Sequence, residues 1–407
     1  MRSHKDGGGT ELVLHQMMYY EDTTTNARVY GLGSGALSNA LYPYEGNDRW
    51  KIQQMVVNIM SHFSEKKYIG NVYTPISNPL EWSSNISLDG YVRILPNKKL
   101  LITGSPTVTI DSILLIDGEL EINGNVTVAG AGSLNINPTG KLRLKENSTF
   151  TINPATFIME AGSSIIYESG AKLVVKNATI KNNATLTVSS GGELDISSGG
   201  TLRFGSNSNV YSYGKVLATN ATFTSLSGNS AGSWGNIKFE NVTLMGTNLN
   251  YCKIEKGGEV QCINGADVFV QNSVFRKMNR AVYFNNSAPW ILGNDIDSMS
   301  LHAIEGTTNY QETSVYWNTI KRGYASQNYA GILFKSTGGN IIENKIEGFN
   351  VGMFFNGGSS PDFNQGNDNN PNPNNKITNN YTGVEVAYGS NPNMGDAEDY
   401  VNGNNSI

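Results

Sequence analysis

The sequence predicts an all-β chain wound as a parallel β-helix, a solenoid of short stacked strands. Three observations predict it. First, one phrase recurs between Ile113 and Phe204: a turn residue, usually Gly, then an apolar–polar–apolar triplet. Examples are Gly118-Glu119-Leu120-Glu121-Ile122, Gly140-Lys141-Leu142-Arg143-Leu144, Gly192-Glu193-Leu194-Asp195-Ile196 and Gly200-Thr201-Leu202-Arg203-Phe204. Second, the leading apolar residues (Leu134, Leu142, Phe150, Phe157, Ile165, Leu173, Ile180, Leu186, Leu194, Leu202) step by six to eight. Strand alternation then puts Leu and Ile on one face and charged or Thr side chains on the other. A strand so short cannot bury its apolar face alone, but stacked copies can, three strands to a coil. Third, only 38% of the 407 residues are hydrophobic while 45 are Gly. A thin periodic core with many turns accounts for both.

Charge and hydropathy narrow the function classes. The charged fraction is 15%, the net charge is −5, and no basic stripe appears. That argues against a nucleic-acid partner. No apolar run approaches the length of a membrane span. The first nine residues, Met1 to Gly9, lack the apolar core of a secretory signal. The C-terminal Asn402 to Ile407 is turn-rich and offers no cap, which a solenoid needs. The expectation is therefore a fragment of a longer secreted protein, located outside the cell or at its surface.

Three regions are expected along the chain. Residues 1–68 read as a partial α/β segment. Ala27 to Gly33 forms a strand running into a Gly-rich loop. Asp48 to Lys67 forms an amphipathic helix, with Ile52, Met55, Val56, Ile59, Met60 and Phe63 at three- and four-residue steps. Asp48 can cap its start, and Lys66 and Lys67 suit its end. This order of strand, loop and helix resembles the end of a glutamine-amidotransferase-like fold. Residues 69–84 read as a linker, and 85–407 as the β-helix. About 23 residues per coil gives on the order of 13 coils, a rod roughly 60 Å long.

From about residue 235 the repeat lengthens and acquires an Asn column: Asn272, Asn294, Asn318, Asn344 and Asn380, separated by 22, 24, 26 and 36 residues. Asn tolerates the left-handed conformation of a tight corner. Stacked Asn amides can also bond to one another at the inter-strand spacing. Cys252 falls where the preceding coil would place its Asn, and Cys262 aligns with Phe284 and points inward. Two buried thiols serving as apolar filler, or one disulfide, are the two readings of this pair.

The Asn corners, the Gly-Ile strands, Ser233-Trp-Gly-Asn-Ile-Lys-Phe and the Gly-x-Leu-x-Ile phrase resemble right-handed parallel β-helix proteins. These are the pectate lyase and polygalacturonase superfamily and the β-helix regions of large secreted bacterial surface proteins. The resemblance covers roughly residues 85–400. It implies a right-handed coil and a carbohydrate-associated role. That fold carries enzymes, adhesins and stalks alike, so activity must be argued from side chains.

One outward column is expected to run Phe275, Asp297, Lys321, Glu347, with Ser273, Asp295, Thr319, Lys345 beside it and Arg276, Ser298, Arg322 next. Asp295, Asp297, Lys321, Arg322 and Glu347 would then share one sheet face. A lyase acting on uronic-acid polymers needs such a set: carboxylates to hold Ca²⁺, and Lys or Arg to abstract a proton. The same residues also read as an ionic ladder on a solvated sheet, opposite charges stacking. The hydrolase pattern of the superfamily carries Gly-His-Gly, whereas this chain has Leu301-His302-Ala303. His302 is expected at a corner aligned with Arg280, either facing solvent or moving protons beside Asp297 or Glu305.

Other motifs remain. Gly228-Asn-Ser230-Ala-Gly232 matches the nucleophile elbow of a serine esterase, with Asp297 and His302 following in order. The elbow requires a strand before the Ser and a helix after it. Asp362 and Asp368 lie in the Asn-rich insertion between Ser359 and Asn375, whose spacing fits neither the calcium nonapeptide nor the EF-hand loop; a calcium held by the loop and a plain polar loop are the two readings. The sequons Asn125-Val-Thr, Asn177-Ala-Thr and Asn241-Val-Thr are frequent in any Asn/Thr-rich chain. Aromatic residues crowd 283–329 (Tyr283, Tyr310, Tyr316, Trp317, Tyr324, Tyr329). Tyr316, Trp317 and Tyr324 are the expected substrate contacts, since sugar rings stack their C–H faces on such side chains. The functional expectation is a rigid extracellular spacer or binding module for a polysaccharide or cell-surface glycan. The alternative is a polysaccharide lyase or glycoside hydrolase, and the remote one is a serine esterase at Ser230. No cofactor is required by the first reading, and Ca²⁺ is the ion the lyase reading would add.

Overall fold

The computed structural model describes residues 17–22, 27–32, 71–72, 74, 76–153, 155–197, 199–242, 246–322, 329–363 and 375–393. From Asn71 on they form an all-β parallel solenoid of about 12 turns. No helix occurs among them. The expected helix between Asp48 and Lys67 lies outside the described residues. The expected strand Ala27–Leu32 is present and pairs antiparallel with Met17–Asp22. Strands Asn71–Val72 and Leu80–Trp82, inside the stretch read as a linker, already pair in parallel with the coils that follow.

Each coil contributes one strand to each of three faces. The first face is a sheet of fourteen strands, from Asn71–Val72 to Lys376–Thr378. Ser133–Ile136, Thr156–Met159 and Thr201–Phe204 belong to it. The second face carries Lys99–Gly104, Lys141–Leu144, Val260–Ile263 and Val282–Asn285. The third carries Thr107–Ile110, Lys172–Val175, Phe269–Gln271 and Trp290–Leu292. Long strands such as Ile304–Tyr316 and Ala330–Ile342 run across the corner between the second and third faces.

In-register pairing carries each apolar position onto its counterpart one coil away. On the first face Leu134 meets Phe157, Ala178 meets Leu202, and Phe275 meets Ile296, which meets Ile320. On the second, Val260, Val282, Ile304 and Ile332 form one file, and Cys262 lies beside Phe284 as expected. The result is one continuous core from Val72 to Ile377. Leu142, Leu194 and Ile296 all belong to it. Both cysteines are free and buried. Burial pushes the Cys252 thiol up to about 11 and raises Cys262 as well.

The Asn residues divide into two sets with different jobs. The exposed corner between the third and first faces is left-handed in successive coils, at Asn220, Tyr251, Asn272, Gly293, Trp317 and Glu343. The next residue along the chain points inward and forms the amide ladder. Asn294 donates from Nδ2 to Asn318 Oδ1, Asn318 to Asn344 Oδ1 at 2.9 Å each, and Asn344 to Asn375 Oδ1 at 3.1 Å. The ladder therefore runs Cys252, Ser273, Asn294, Asn318, Asn344, Asn375. The expected members Asn272 and Asn380 are not in it. Asn272 occupies the left-handed corner, one residue before Ser273, whose hydroxyl takes the ladder place and accepts Cys252 N–H at 3.0 Å. Asn380 lies at the following corner and caps Phe349 N–H at 2.8 Å.

Candidate functional site

The first face collects four of the expected catalytic residues. Asp297, Lys321 and Glu347 stack in one outward column, and Asp295 lies two residues before Asp297 on the same strand. The coil before them contributes Arg276, not Phe275, because the true register is shifted by one residue there; Phe275 is in the core. For the same reason Val274, not Ser273, lies beside Asp295. The column reads Glu255, Arg276, Asp297, Lys321, Glu347, alternating in sign. Arg276 pairs with Asp295, and its Nε lies 3.9 Å from Asp297. Lys321 reaches Glu347 at 3.3 Å, and Lys345 reaches it at 3.8 Å. These half-exposed groups are mutually neutralised, as an ionic ladder requires. Arg322 leaves the face: its guanidinium lies 5.8 Å from the Tyr329 ring and 6.0 Å from Phe349.

His302 sits at the corner before the second face, in register with Arg280. Its neighbour is Glu305. Its Nδ1 accepts the Ala330 N–H at 2.9 Å, and its ring meets Tyr329 edge-on. Burial holds the imidazole down to about 4, against the pull of Glu305. Glu305 centres a charge network that sequence reasoning missed. Its side chain is 6% exposed and bonds Arg280 Nε at 2.7 Å and Lys335 Nζ at 3.0 Å. Arg280 also bonds Glu259 at 2.7 Å. Burial pushes the Glu305 carboxyl up, but Lys335 and Arg280 outweigh it and hold it below the usual carboxylate range. The four partners lie 21 to 30 residues apart, so only the coil register reveals them.

Ser230 lies in a loop, its hydroxyl 3.3 Å from that of Ser233. The strand Ile237–Glu240 follows, and the helix that an elbow requires is not formed. Among the described residues no three His, Cys, Asp or Glu side chains converge as a metal site would need. Asp362 accepts a bond from Asn393 at 3.0 Å, and Asp368 lies outside the described residues.

The third face presents an aromatic strip. Phe269 and Trp290 are register partners, and their outward rings lie 5.5 Å apart. The column beside them runs Asn250, Gln271, Leu292, Tyr316. Trp317 follows at the corner, 55% exposed, its ring 5.6 Å from Tyr316 and its Nε1 donating to Glu343 at 3.0 Å. Tyr251 is 59% exposed at the same corner three coils earlier. Amides adjoin the rings: Gln271 bonds Asn248 at 3.4 Å, and Asn272 bonds Asn250 at 3.1 Å. Of the expected substrate contacts, Tyr316 and Trp317 are together here, while Tyr324 lies outside the described residues. Phe269 and Trp290 were missed. Their signal was the one-residue offset from the inward Val270 and Ile291, which becomes visible once the strands are in register.

Tyr283 and Tyr329 belong instead to the charge network. The Arg280 guanidinium lies 5.6 Å from the Tyr283 ring, whose hydroxyl is 3.1 Å from Thr307 Oγ1. Comparison with protein-family models, with curated proteins and with solved structures yields no match to this chain.

Proposed function

We propose that this chain is an extracellular or cell-surface β-solenoid module, a rigid spacer that binds glycan along its third face. The observation that carries the reading is the Phe269–Trp290 pair continued by Leu292, Tyr316 and Trp317, an aromatic band of mutually tilted rings bordered by amide donors and acceptors. Rings standing on consecutive strands are spaced by about 4.8 Å. Such a band suits a ligand that presents apolar C–H faces and hydroxyl edges in turn. Continuous in-register pairing keeps the band straight, which suits an extended polymer.

The test is titration of the protein with soluble polysaccharides, neutral and acidic, followed by tryptophan fluorescence. Binding by at least one polymer, weakened about tenfold by Trp290→Ala and by Trp317→Ala, supports the reading. Binding indifferent to both variants, or no binding to any polymer, overturns it. Incubation with acidic polymers and Ca²⁺ separates the lyase reading: unsaturated product that disappears in Lys321→Ala would replace the binding module by an enzyme.

A further inference from the structure

A second surface feature lies away from the aromatic strip. At the corner between the second and third faces, earlier in the solenoid, a cleft of about 330 Å³ opens beside Gly191, Glu193, Tyr213 and Lys215. Small-molecule sites range over roughly 300–1,000 Å³, so this one suits a single ring. Its floor is bare backbone for a reason that belongs to the fold. A Cβ on Gly192 would lie 2.7 Å from the Tyr167 ring, and one on Gly214 would lie 2.3 Å from Ser189 O. Coil stacking thus admits only glycine at both places, and the backbone of Gly191, Gly192 and Gly214 lines the cleft.

The wall is a fixed donor–acceptor pair. Glu193 accepts from Lys215 at 2.9 Å and from Lys172 at 2.8 Å, while Lys172 also holds Asp195 at 2.6 Å. The charged side chains that line the cleft are Glu193 and Lys215, one carboxylate and one ammonium, so it has no net charge with which to select an ion. What it offers is a carboxylate and an ammonium side by side, spaced for neighbouring hydroxyls. Tyr213 forms the rim. It is 40% exposed, so its ring is open to a ligand.

We infer that this cleft binds one uncharged saccharide ring, with Tyr213 against its C–H face and the Glu193–Lys215 pair on its hydroxyls. The site is separate from the aromatic strip and stands whether or not the strip binds polymer.

The experiment is calorimetric titration of the full chain with methyl glucoside, N-acetylglucosamine, glucuronate and glucosamine. A neutral member should bind, with affinity reduced about tenfold by Tyr213→Ala and by Lys215→Met and unchanged by Trp290→Ala. Lys215→Met keeps the stem that covers Gly246, and circular dichroism of both cleft variants confirms folding. Binding of glucuronate or glucosamine alone would overturn the ligand class. Neutral binding unaffected by the cleft variants, or lost with Trp290→Ala, would overturn the site, as would no binding at all. A failed aromatic strip would appear only with the polymers and the Trp290 variant, so the two readings fail separately.

Discussion

Asn318 Oδ1 accepts two hydrogen bonds from Asn294, one from its backbone N–H and one from its Nδ2, both at 2.9 Å. One buried amide therefore fixes both the main chain and the side chain of the coil before it. Asn344 does the same for Asn318, and Asn375 for Asn344. Asn318→Ala should leave the Asn294 N–H buried without its acceptor. The expected cost is roughly 2–3 kcal/mol, read by denaturation, with lost hydrogen-exchange protection at Asn294. Asn272→Gly is the control. Asn272 is exposed at φ 50°, where the next coil already uses Gly293. That change should cost less than about 0.5 kcal/mol. Equal costs for the two variants would mean that the ladder does not hold the coils in register.

Gly306 makes room for a ring. It stands in the inward file after Phe284, and a Cβ there would lie 2.2 Å from Phe284 Cζ. Phe284 packs edge-on against Phe334, two coils along, at 5.7 Å across that gap. Gly306→Ala should destabilise by about 1–3 kcal/mol through overpacking. Adding Phe284→Leu should recover much of that loss, because it removes the ring that the new methyl meets. Additive losses in the double variant, measured by a double-mutant cycle, would show that the two residues do not share this space.

Much of the fold is readable in the sequence because a solenoid repeats its own evidence. Each Gly-x-Leu-x-Ile phrase is ambiguous alone, but its recurrence identifies strands, inward positions and stacking together. Cys262 beside Phe284 followed from that register, and so did Cys252 in the ladder column. The register failed where two Asn roles are adjacent in sequence. Phe269-x-x-Asn272 and Ile291-x-x-Asn294 look equivalent, yet Asn272 is the left-handed corner and Asn294 the ladder. The one-residue slip inverted the face of Phe275, as it must in any strand of period two, and hid Arg276 in the charge column. It also hid Phe269 and Trp290, whose outward position depends on pairing Val270 with Ile291. The Glu259–Arg280–Glu305–Lys335 network was out of reach for another reason. Glu259 and Arg280 lie at a corner and Glu305 and Lys335 on strands, so no single periodic column contains them.

Two ionisable groups at that network should set the acid limit of stability. His302 is held at about 4, below its ordinary 6.5, and its Nδ1 already accepts the Ala330 N–H. Between those values the unfolded chain binds a proton that the folded chain refuses. Stability should therefore fall as pH drops from about 6.5 to about 4, by up to about 1.4 kcal/mol per pH unit. Glu305, facing Arg280 and Lys335 with Glu259 beyond, is depressed below 4.5. Its contribution is intact above 4.5 and is lost as pH falls through its folded value, so it extends the same decline to lower pH. His302→Asn keeps an acceptor for Ala330 and removes the titration. Its denaturation profile should be flatter than that of the parent between pH 6.5 and 4 and parallel to it above 7. Glu305→Gln should act in the opposite range, costing stability at pH 7, where Arg280 and Lys335 lose a shared partner, and flattening the decline below 4.5. A His302→Asn profile that tracks the parent throughout would mean that the imidazole ionises as freely in the folded chain as in the unfolded one.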